Sequence, residues 1–320
     1  MDSPNGKPLP AGPLLLSCDW GTSSFRLRLV SRRTARIEAE HSTEDGAKPI
    51  AAANVSISAR HRSFRAVLER GLVSLGVAHR TDIPLVISGM ACSTIGWQSL
   101  GYASLPARLT GRDYVTADRR VGGRKVRFVS GLRAACDVMR GEECELTGLF
   151  AAPGRQVLAH DCLVVLPGTH SKHVRIRKGR ITDFCTHPTG ELFALLSKHS
   201  TFGGKSGGAL SLRSFRAGIE AARRSGMGPA LFRTRARTVL GCMPPEESAD
   251  FLSGVLIGSE IASLPRGVPI VLAAGPALAR RYSLAVRLLF PKGEVFRIAP
   301  GEMARAVVRG HLLLGSSLED

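Results

Sequence analysis

Two short stretches of this chain repeat one another nearly half of its 320 residues apart. Gly21-Thr22-Ser23-Ser24 and Gly168-Thr169-His170-Ser171 both read Gly-Thr-x-Ser. The likeness extends outward at the same offset: Leu16 matches Leu163, Leu27 matches Val174, Arg28 matches Arg175 and Leu29 matches Ile176. Before each turn runs an apolar stretch, Leu14–Trp20 and Cys162–Leu166, the pattern of a buried strand. After each comes an alternation of apolar and basic residues, Phe25–Val30 and Val174–Ile176, the pattern of a half-exposed return strand. A single Gly/Ser/Thr turn after a strand usually means nothing more than a hairpin. A matched pair with matched flanks is far less readily produced by chance, and it predicts one such hairpin in each of two domains.

The chemistry of the turn suggests its use. Glycine lets backbone come close to a phosphate, and successive N–H groups with Thr and Ser hydroxyls form an anion cradle. Two such hairpins can grip a polyphosphate from opposite sides of a cleft. The first unit carries Asp19 where the second has Leu166. One carboxylate is what Mg²⁺ bound to substrate phosphates usually needs from a protein, directly or through water. An Asx turn capping the hairpin is the bland alternative for Asp19. Arg26 and Lys172 add positive charge beside the turns, or are solvated strand residues.

Other phosphate motifs fail. Gly204-Lys205-Ser206 ends like a P-loop, but His199 stands where that motif needs glycine. The glycine-rich stretch Gly203–Gly208 reads as a mobile loop, and no dinucleotide fingerprint opens a helix after a strand.

The rest of the chain alternates strands with helices, an α/β pattern. Helical periodicity marks Ala59–Leu75 and Val138–Ala151. It recurs near Gly190–His199, Ala209–Arg224, Ala230–Leu240 and Ser248–Leu264, from Pro276, and around Met303–Leu314. Further strands are expected at Ile83–Gly89, Lys125–Leu132, Val268–Ala274 and Glu294–Ile298. The four prolines of Met1–Pro13 predict a flexible lead-in. No apolar run is long enough for a signal-peptide core or a membrane span, so a cytoplasmic location is expected.

Seven cysteines lie scattered singly, without C-x-x-C or zinc spacing, and read as free thiols. The formal charge of +18 raises a nucleic-acid hypothesis, but the cations are spread along the chain. Their densest clusters (Arg32-Arg33, Arg223-Arg224, Arg233–Arg237, Arg280-Arg281) lack the interleaved aromatics of single-strand binders, and aromatics make up only 5%. A positive field would still draw an anionic substrate to a cleft. His170 and His173 sit three apart like metal ligands, yet with no further ligand nearby they read as a polar turn.

Asp19-Trp20-Gly21-Thr22-Ser23-Ser24-Phe25-Arg26 resembles the first phosphate motif of the superfamily of sugar kinases, heat-shock ATPases and actin. Leu166–Lys172 resembles its second, and Val271–Leu278, with Ala274 and Gly275, resembles its adenosine motif. More narrowly, Ser88-Gly89-Met90-Ala91-Cys92-Ser93 with Gly96-Trp97, Val138–Glu143, Pro167–His170, Thr189–Leu192 and Phe251–Gly254 with Ile257-Gly258 resemble the 2-dehydro-3-deoxygalactonokinase family, from about Leu14 to the last helix. Cys185 and Pro188 depart from the family pattern.

That resemblance implies a two-domain actin-like (ribonuclease H-like) sugar kinase fold with a central cleft. The domains implied are 14–145, joined by the closing helix 302–315, and 146–301. It implies ATP-dependent phosphorylation of 2-dehydro-3-deoxy-D-galactonate at its 6-hydroxyl, a step of galactonate or galactose catabolism, with ATP and Mg²⁺ as cofactors. Asp19, Gly21, Thr22, Ser23, Ser24, Gly168, Thr169 and His170 would hold phosphates, Asp19 would also organise Mg²⁺, and Ala274 and Gly275 would meet adenosine. Met90, Ser93, Trp97, Arg140 and Glu191 would meet the sugar acid, although Trp97 reads equally as a core aromatic. The base would be a carboxylate at a helix start: Asp137, which opens the expected helix and is also a favoured N-cap, or Glu142, after a glycine that packing does not demand. Expected partners are the sugar acid and ATP, with no nucleic acid and no membrane, and a homodimer is compatible with the sequence. A kinase for another sugar, a polyphosphate-hydrolysing phosphatase, an ATP-binding relative without catalysis, and a nucleic-acid binder are the alternatives.

Overall fold

Six of the seven residues of β1 (Leu14–Trp20) are buried, so the strand needs neighbours on both edges and cover on both faces. It pairs antiparallel with β2 (Phe25–Ser31), and β2 pairs with β3 (Ile37–Thr43). On its other edge β1 runs parallel to β4 (Leu85–Gly89). The computed structural model from which these elements are taken describes residues 12–54, 56–202 and 210–318. The lead-in before Gly12, the Gly203–Gly208 loop and Ala209 therefore lie outside the described residues. The chain divides into two units, the first holding residues 12–160, 176–183 and 302–318 of those described. The second holds 161–175, 184–202 and 210–301.

In the first unit α1 (Ala47–Ala53) and α2 (Ile57–Ser74) follow β3. Ser56 caps α2, its Oγ accepting from the Ala59 N–H at 3.1 Å, and Phe64, Val67, Leu68 and Leu72 form the buried stripe that the periodicity predicts. The strands continue as β5 (Ala103–Ser104), β6 (Ala107–Arg108), β7 (Thr116–Val121), β8 (Arg124–Val129), β9 (Leu132–Arg133) and β10 (Val138–Met139). The main sheet has the order β3-β2-β1-β4-β8-β7, and β10-β9-β5 form a small second one. Trp20 anchors the core, its ring 4.5 Å from Phe25, 4.8 Å from Phe64 and 6.2 Å from Trp97.

Two sequence expectations are corrected here. Return strand β2 is not half-exposed: β3, which the sequence pattern did not reveal, covers its outer edge. Arg28 is buried there with its Nε 2.6 Å from Glu40. The helix expected over Val138–Ala151 starts later, because Val138 and Met139 pair with Arg133 and Leu132 as β10. After a turn at Gly141, whose φ of 109° suits glycine, α3 spans Glu142–Phe150. Asp137 therefore opens no helix. It sits in the β9–β10 turn, where its Oδ1 accepts from the Val138 N–H at 2.7 Å.

The second unit repeats the plan. Its strands are β11 (Asp161–Leu166), β12 (Ser171–Arg177), β13 (Arg180–His187), β14 (Ile270–Leu272) and β15 (Val295–Arg297). Their order, β15-β14-β11-β12-β13, matches β8-β4-β1-β2-β3 position for position, with β11 parallel to β14 as β1 is to β4. The outer end of β13 belongs to the first unit, where Arg180 and Ile181 pair with β6. Helices α4 (Thr189–His199), α5 (Leu212–Ser225), α6 (Met227–Val239), α7 (Ser248–Ala262) and α8 (Pro276–Leu289) complete this unit. The last helix, α9 (Pro300–Leu314), returns to the first unit from Glu302 onward. This duplicated hairpin-plus-parallel-strand topology is the two-domain actin-like fold. No described helix is long and apolar enough to cross a membrane.

Candidate active site

The first hairpin closes tightly. Trp20 faces Phe25 across the strand pair, and the Gly21 N–H donates to Ser24 O at 2.8 Å, leaving Thr22 and Ser23 at the tip. The tip is braced from behind, because Lys48 N donates to Thr22 O and Ala47 N to Gly21 O, both at 3.0 Å. Asp19 lies opposite Arg26, and its Oδ2 takes the Arg26 guanidinium at 3.1 Å. Both side chains are partly exposed, so this pair contributes under about 1 kcal/mol and serves mainly to orient the carboxylate.

Three separate segments converge beside Asp19. The Gly89 backbone, at φ 85°, lies so close to Trp20 that a β-carbon would sit 2.5 Å from the Trp20 carbonyl oxygen. Gly141 in turn packs against Gly89. The Asp19-Trp20, Ser88-Gly89-Met90 and Arg140-Gly141-Glu142 stretches thus stack through Gly89, which cannot be enlarged without moving backbone, and Gly141, whose φ suits glycine. Arg140 then holds the loop that follows Met90: its Nη1 donates to Cys92 O at 2.6 Å and its Nη2 to Leu100 O at 3.3 Å. Its guanidinium also lies 4.2 Å from the centre of the Tyr102 ring. Ser93 Oγ donates to Met90 O at 2.8 Å, closing that turn, and Trp97 stacks on Phe64 and edges on Phe128 behind it.

The first turn of α3 is acidic. Glu142 accepts from the Arg140 N–H at 2.9 Å, and Glu143 from the Gly141 N–H at 2.7 Å. Loss of water, then the Glu142 charge, pushes the Glu143 carboxyl up to about 8. Glu145 is raised to about 8 by the same two causes and next by Asp19, which places it in the field of the hairpin carboxylate. Asp19, partly exposed at the hairpin, supplies a hard oxygen donor of the kind Mg²⁺ takes. Among the described residues no group of three or more His, Cys, Asp or Glu side chains is arranged to hold a metal alone. That donor fits a Mg²⁺ carried on substrate phosphates with one protein carboxylate beside it.

Beneath Asp19, strands β1 and β4 are pinned by a histidine that sequence reasoning missed. His311 of α9 is fully buried, with Nδ1 2.7 Å from Ser17 Oγ and Nε2 2.8 Å from Ser88 Oγ. Ser88 is the residue directly across from Asp19. Burial, then the Arg28 charge, pushes this imidazole down to about 3. The unfolded chain takes a proton below about pH 6.5 that the folded protein refuses. Stability therefore falls as pH drops from about 6.5 towards 3, by about 2 kcal/mol at pH 5 from this group. The raised carboxyls of Glu143 and Glu145 act in the opposite direction, so only a comparison isolates the histidine. A His311→Gln variant is expected to lose up to one proton's worth of slope in unfolding free energy between pH 6.5 and 4. Parallel curves for variant and parent would contradict this.

In the second unit the turn 167–170 is clasped by the start of α4. Glu191 N donates to Thr169 O at 3.0 Å, and its carboxylate lies 3.0 Å from His170 Nε2. Gly190 passes so close that a β-carbon would meet the Gly168 carbonyl oxygen at 2.5 Å. Lys172 is buried with its Nζ donating to His170 O at 3.0 Å, so it is no solvated strand residue. Beside the turn lies a cavity of about 210 Å³ between Gly168, Thr189, Ser253, Leu278, Arg281 and Tyr282. Ala274, buried, ends the run after β14, and Gly275 caps α8, which forms one wall. The second hairpin, the adenosine-like stretch and Glu191 are thus neighbours of one cavity's walls.

Comparisons with known proteins give the family of the chain. The family pattern described as DGOK, 2-keto-3-deoxy-galactonokinase, matches residues 19–308. The 2-dehydro-3-deoxygalactonokinase of Escherichia coli strain K12 is 38% identical over 216 residues, 64% of this chain and 71% of that protein. DgoK1 of Rhizobium meliloti strain 1021, assigned the same activity, is 35% identical over 265 residues, 78% of this chain and 79% of that one. A crystal structure of a Sinorhizobium meliloti protein assigned to the same kinase superposes with a TM-score of 0.76 at 29% identity. It covers 94% of this chain and 98% of that one.

Proposed function

As a member of the 2-keto-3-deoxy-galactonokinase family, this chain is a kinase of 2-dehydro-3-deoxygalactonate, and we propose that ATP phosphorylates its 6-hydroxyl with Glu142 as base. The observation that supports this site assignment is the glycine-mediated stacking of the Asp19-Trp20, Ser88-Gly89-Met90 and Arg140-Gly141-Glu142 stretches. In this reading the N–H groups and hydroxyls of the Gly21–Ser24 turn and of Gly168, Thr169 and His170 hold the phosphates. Ala274 and Gly275 lie against adenosine. Glu142 accepts the proton of the terminal hydroxyl as its oxygen attacks the γ-phosphorus in line, and ADP leaves. Asp19 is the residue that would hold Mg²⁺, which neutralises developing phosphate charge when bound. The Met90–Ser93 turn frames the sugar acid. Arg140 and Trp97 shape that turn from behind, and Glu191 steadies His170.

The test is a coupled ADP-release assay over a panel of sugar acids and neutral sugars. ADP release is expected with 2-dehydro-3-deoxygalactonate, at a kcat/KM at least about tenfold above other panel members, the range that a single misplaced hydroxyl commands. Absence of ADP release with every candidate alcohol, despite measurable ATP binding, would overturn the reading.

A further inference from the structure

Helix α7 carries a single ionisable side chain between Phe251 and Ala262, and that side chain, Glu260, is buried. A buried carboxylate is costly unless hydrogen bonds satisfy it. Glu260 meets that need fully. Its Oε1 accepts from Ser171 Oγ at 2.6 Å and faces His173 Nε2 at 3.0 Å, while its Oε2 accepts from the Tyr282 hydroxyl at 2.7 Å. The Thr189 hydroxyl is a further donor. Burial alone would raise this carboxyl; the donors, His173 first, bring it below the usual range.

What matters is where the donors come from. Ser171 ends the second Gly-Thr-x-Ser turn, and His173 follows on β12. Thr189 opens α4, the helix that clasps the turn. Tyr282 lies on α8, which the adenosine-like stretch opens. Thr189 and Tyr282 also line the 210 Å³ cavity together with Gly168. One side chain thus ties a phosphate turn, its clasp and the nucleoside helix to α7. The matching serine of the first hairpin, Ser24, closes its own turn, its carbonyl accepting from the Gly21 N–H. The repeated serine does different work in the two halves.

We propose that Glu260 is the positioning residue of the nucleotide site in the second unit, holding the Gly168–Ser171 turn and Tyr282 in register for ATP. This rests on the ATP reading given above. Glutamine keeps the volume of Glu260 but presents an N–H₂ group to one set of hydroxyl donors, leaving at least one of them unpaired.

The experiment measures direct ATP binding by calorimetry and steady-state kinetics for both substrates in the full chain, with Glu260→Gln, Glu260→Asp, Ser171→Ala and Tyr282→Phe. Glu260→Gln is expected to weaken ATP binding and raise the ATP KM about tenfold, as loss of a charged hydrogen bond does, with the sugar-acid KM within about twofold. Glu260→Asp should recover part of the loss. Ser171→Ala and Tyr282→Phe, which keep the carboxylate and remove one donor each, should raise the ATP KM about threefold; they decide the matter if Glu260→Gln does not fold. An unchanged ATP affinity in these variants overturns the assignment of Glu260 alone. So does a parallel rise of both KM values with a fall in kcat, the mark of general damage. Failure of the parent protein to bind ATP overturns the donor reading, and with it the nucleotide role of Glu260.

Discussion

Replacing Glu142 by glutamine is expected to lower turnover by about 10²- to 10⁴-fold while ATP affinity stays within about twofold of the parent. The amide keeps the size of the side chain and its acceptor towards the Arg140 N–H, so the α3 start should survive. It removes the negative charge and with it the ability to take a proton. The companion variant Asp137→Asn is expected to keep turnover within about threefold, because Asp137 serves a turn between two short strands and not the helix start. Single-turnover phosphoryl transfer measured beside ATP binding separates the two. Should Asp137→Asn be the crippled variant and Glu142→Gln the active one, the base assignment is reversed. Should both keep near-parental turnover, neither carboxylate is the base.

The second large effect is on stability. Gly148→Ala should destabilise the protein by about 3 kcal/mol, the upper part of the range for overpacking. Gly148 is where α3 crosses α9: a β-carbon there would sit 1.8 Å from the Ala306 carbonyl oxygen and 2.5 Å from Gly310 N. From the other side, a β-carbon on Gly310 would meet Cys144 O at 2.1 Å. All three obstacles are backbone, which no rotamer change relieves, so one helix must shift. The crossing joins the helix that Glu142 opens to the helix that carries His311. Chemical denaturation of Gly148→Ala, Gly310→Ala and the double variant checks this. The double variant should cost less than the sum, because the two sites share one contact and one displacement serves both. Gly101→Ala, where an added β-carbon meets nothing within 4 Å, is the control and should fall within about 0.5 kcal/mol of the parent. Equal stabilities for Gly148→Ala and the control would mean the helices do not approach as closely as described.

The two strand–turn–strand units were legible because their parts are local. Turns of Gly-Thr-x-Ser type, the Asp19 that precedes one of them and the apolar strands that feed both are consecutive residues with characteristic spacing. What misled was Asp137, where the helical pattern of 138–151 was broken by a pairing with Leu132 and Arg133 that periodicity does not encode. The polar residues that hold the site were missed for a related reason. Glu260 left one trace, a lone carboxylate in the stretch Phe251–Ala262 of α7, which a rule about buried charge could have used. His311 left none: it looks like any polar residue near a helix end until Ser17 and Ser88, nearly 300 and over 200 positions earlier, are seen against it.

From the amino-acid order alone came the duplication and the strand–turn–strand units, since each depends on short-range spacing of apolar and glycine residues. Only the folded chain decided that α3 starts at Glu142, that Arg28, Lys172 and Glu260 are buried and paired, and that Ser171 of the repeat bonds a buried carboxylate. Those outcomes depend on which distant backbone arrives to cover a side chain, and burial, unlike periodicity, is a property of the neighbours and not of the residue.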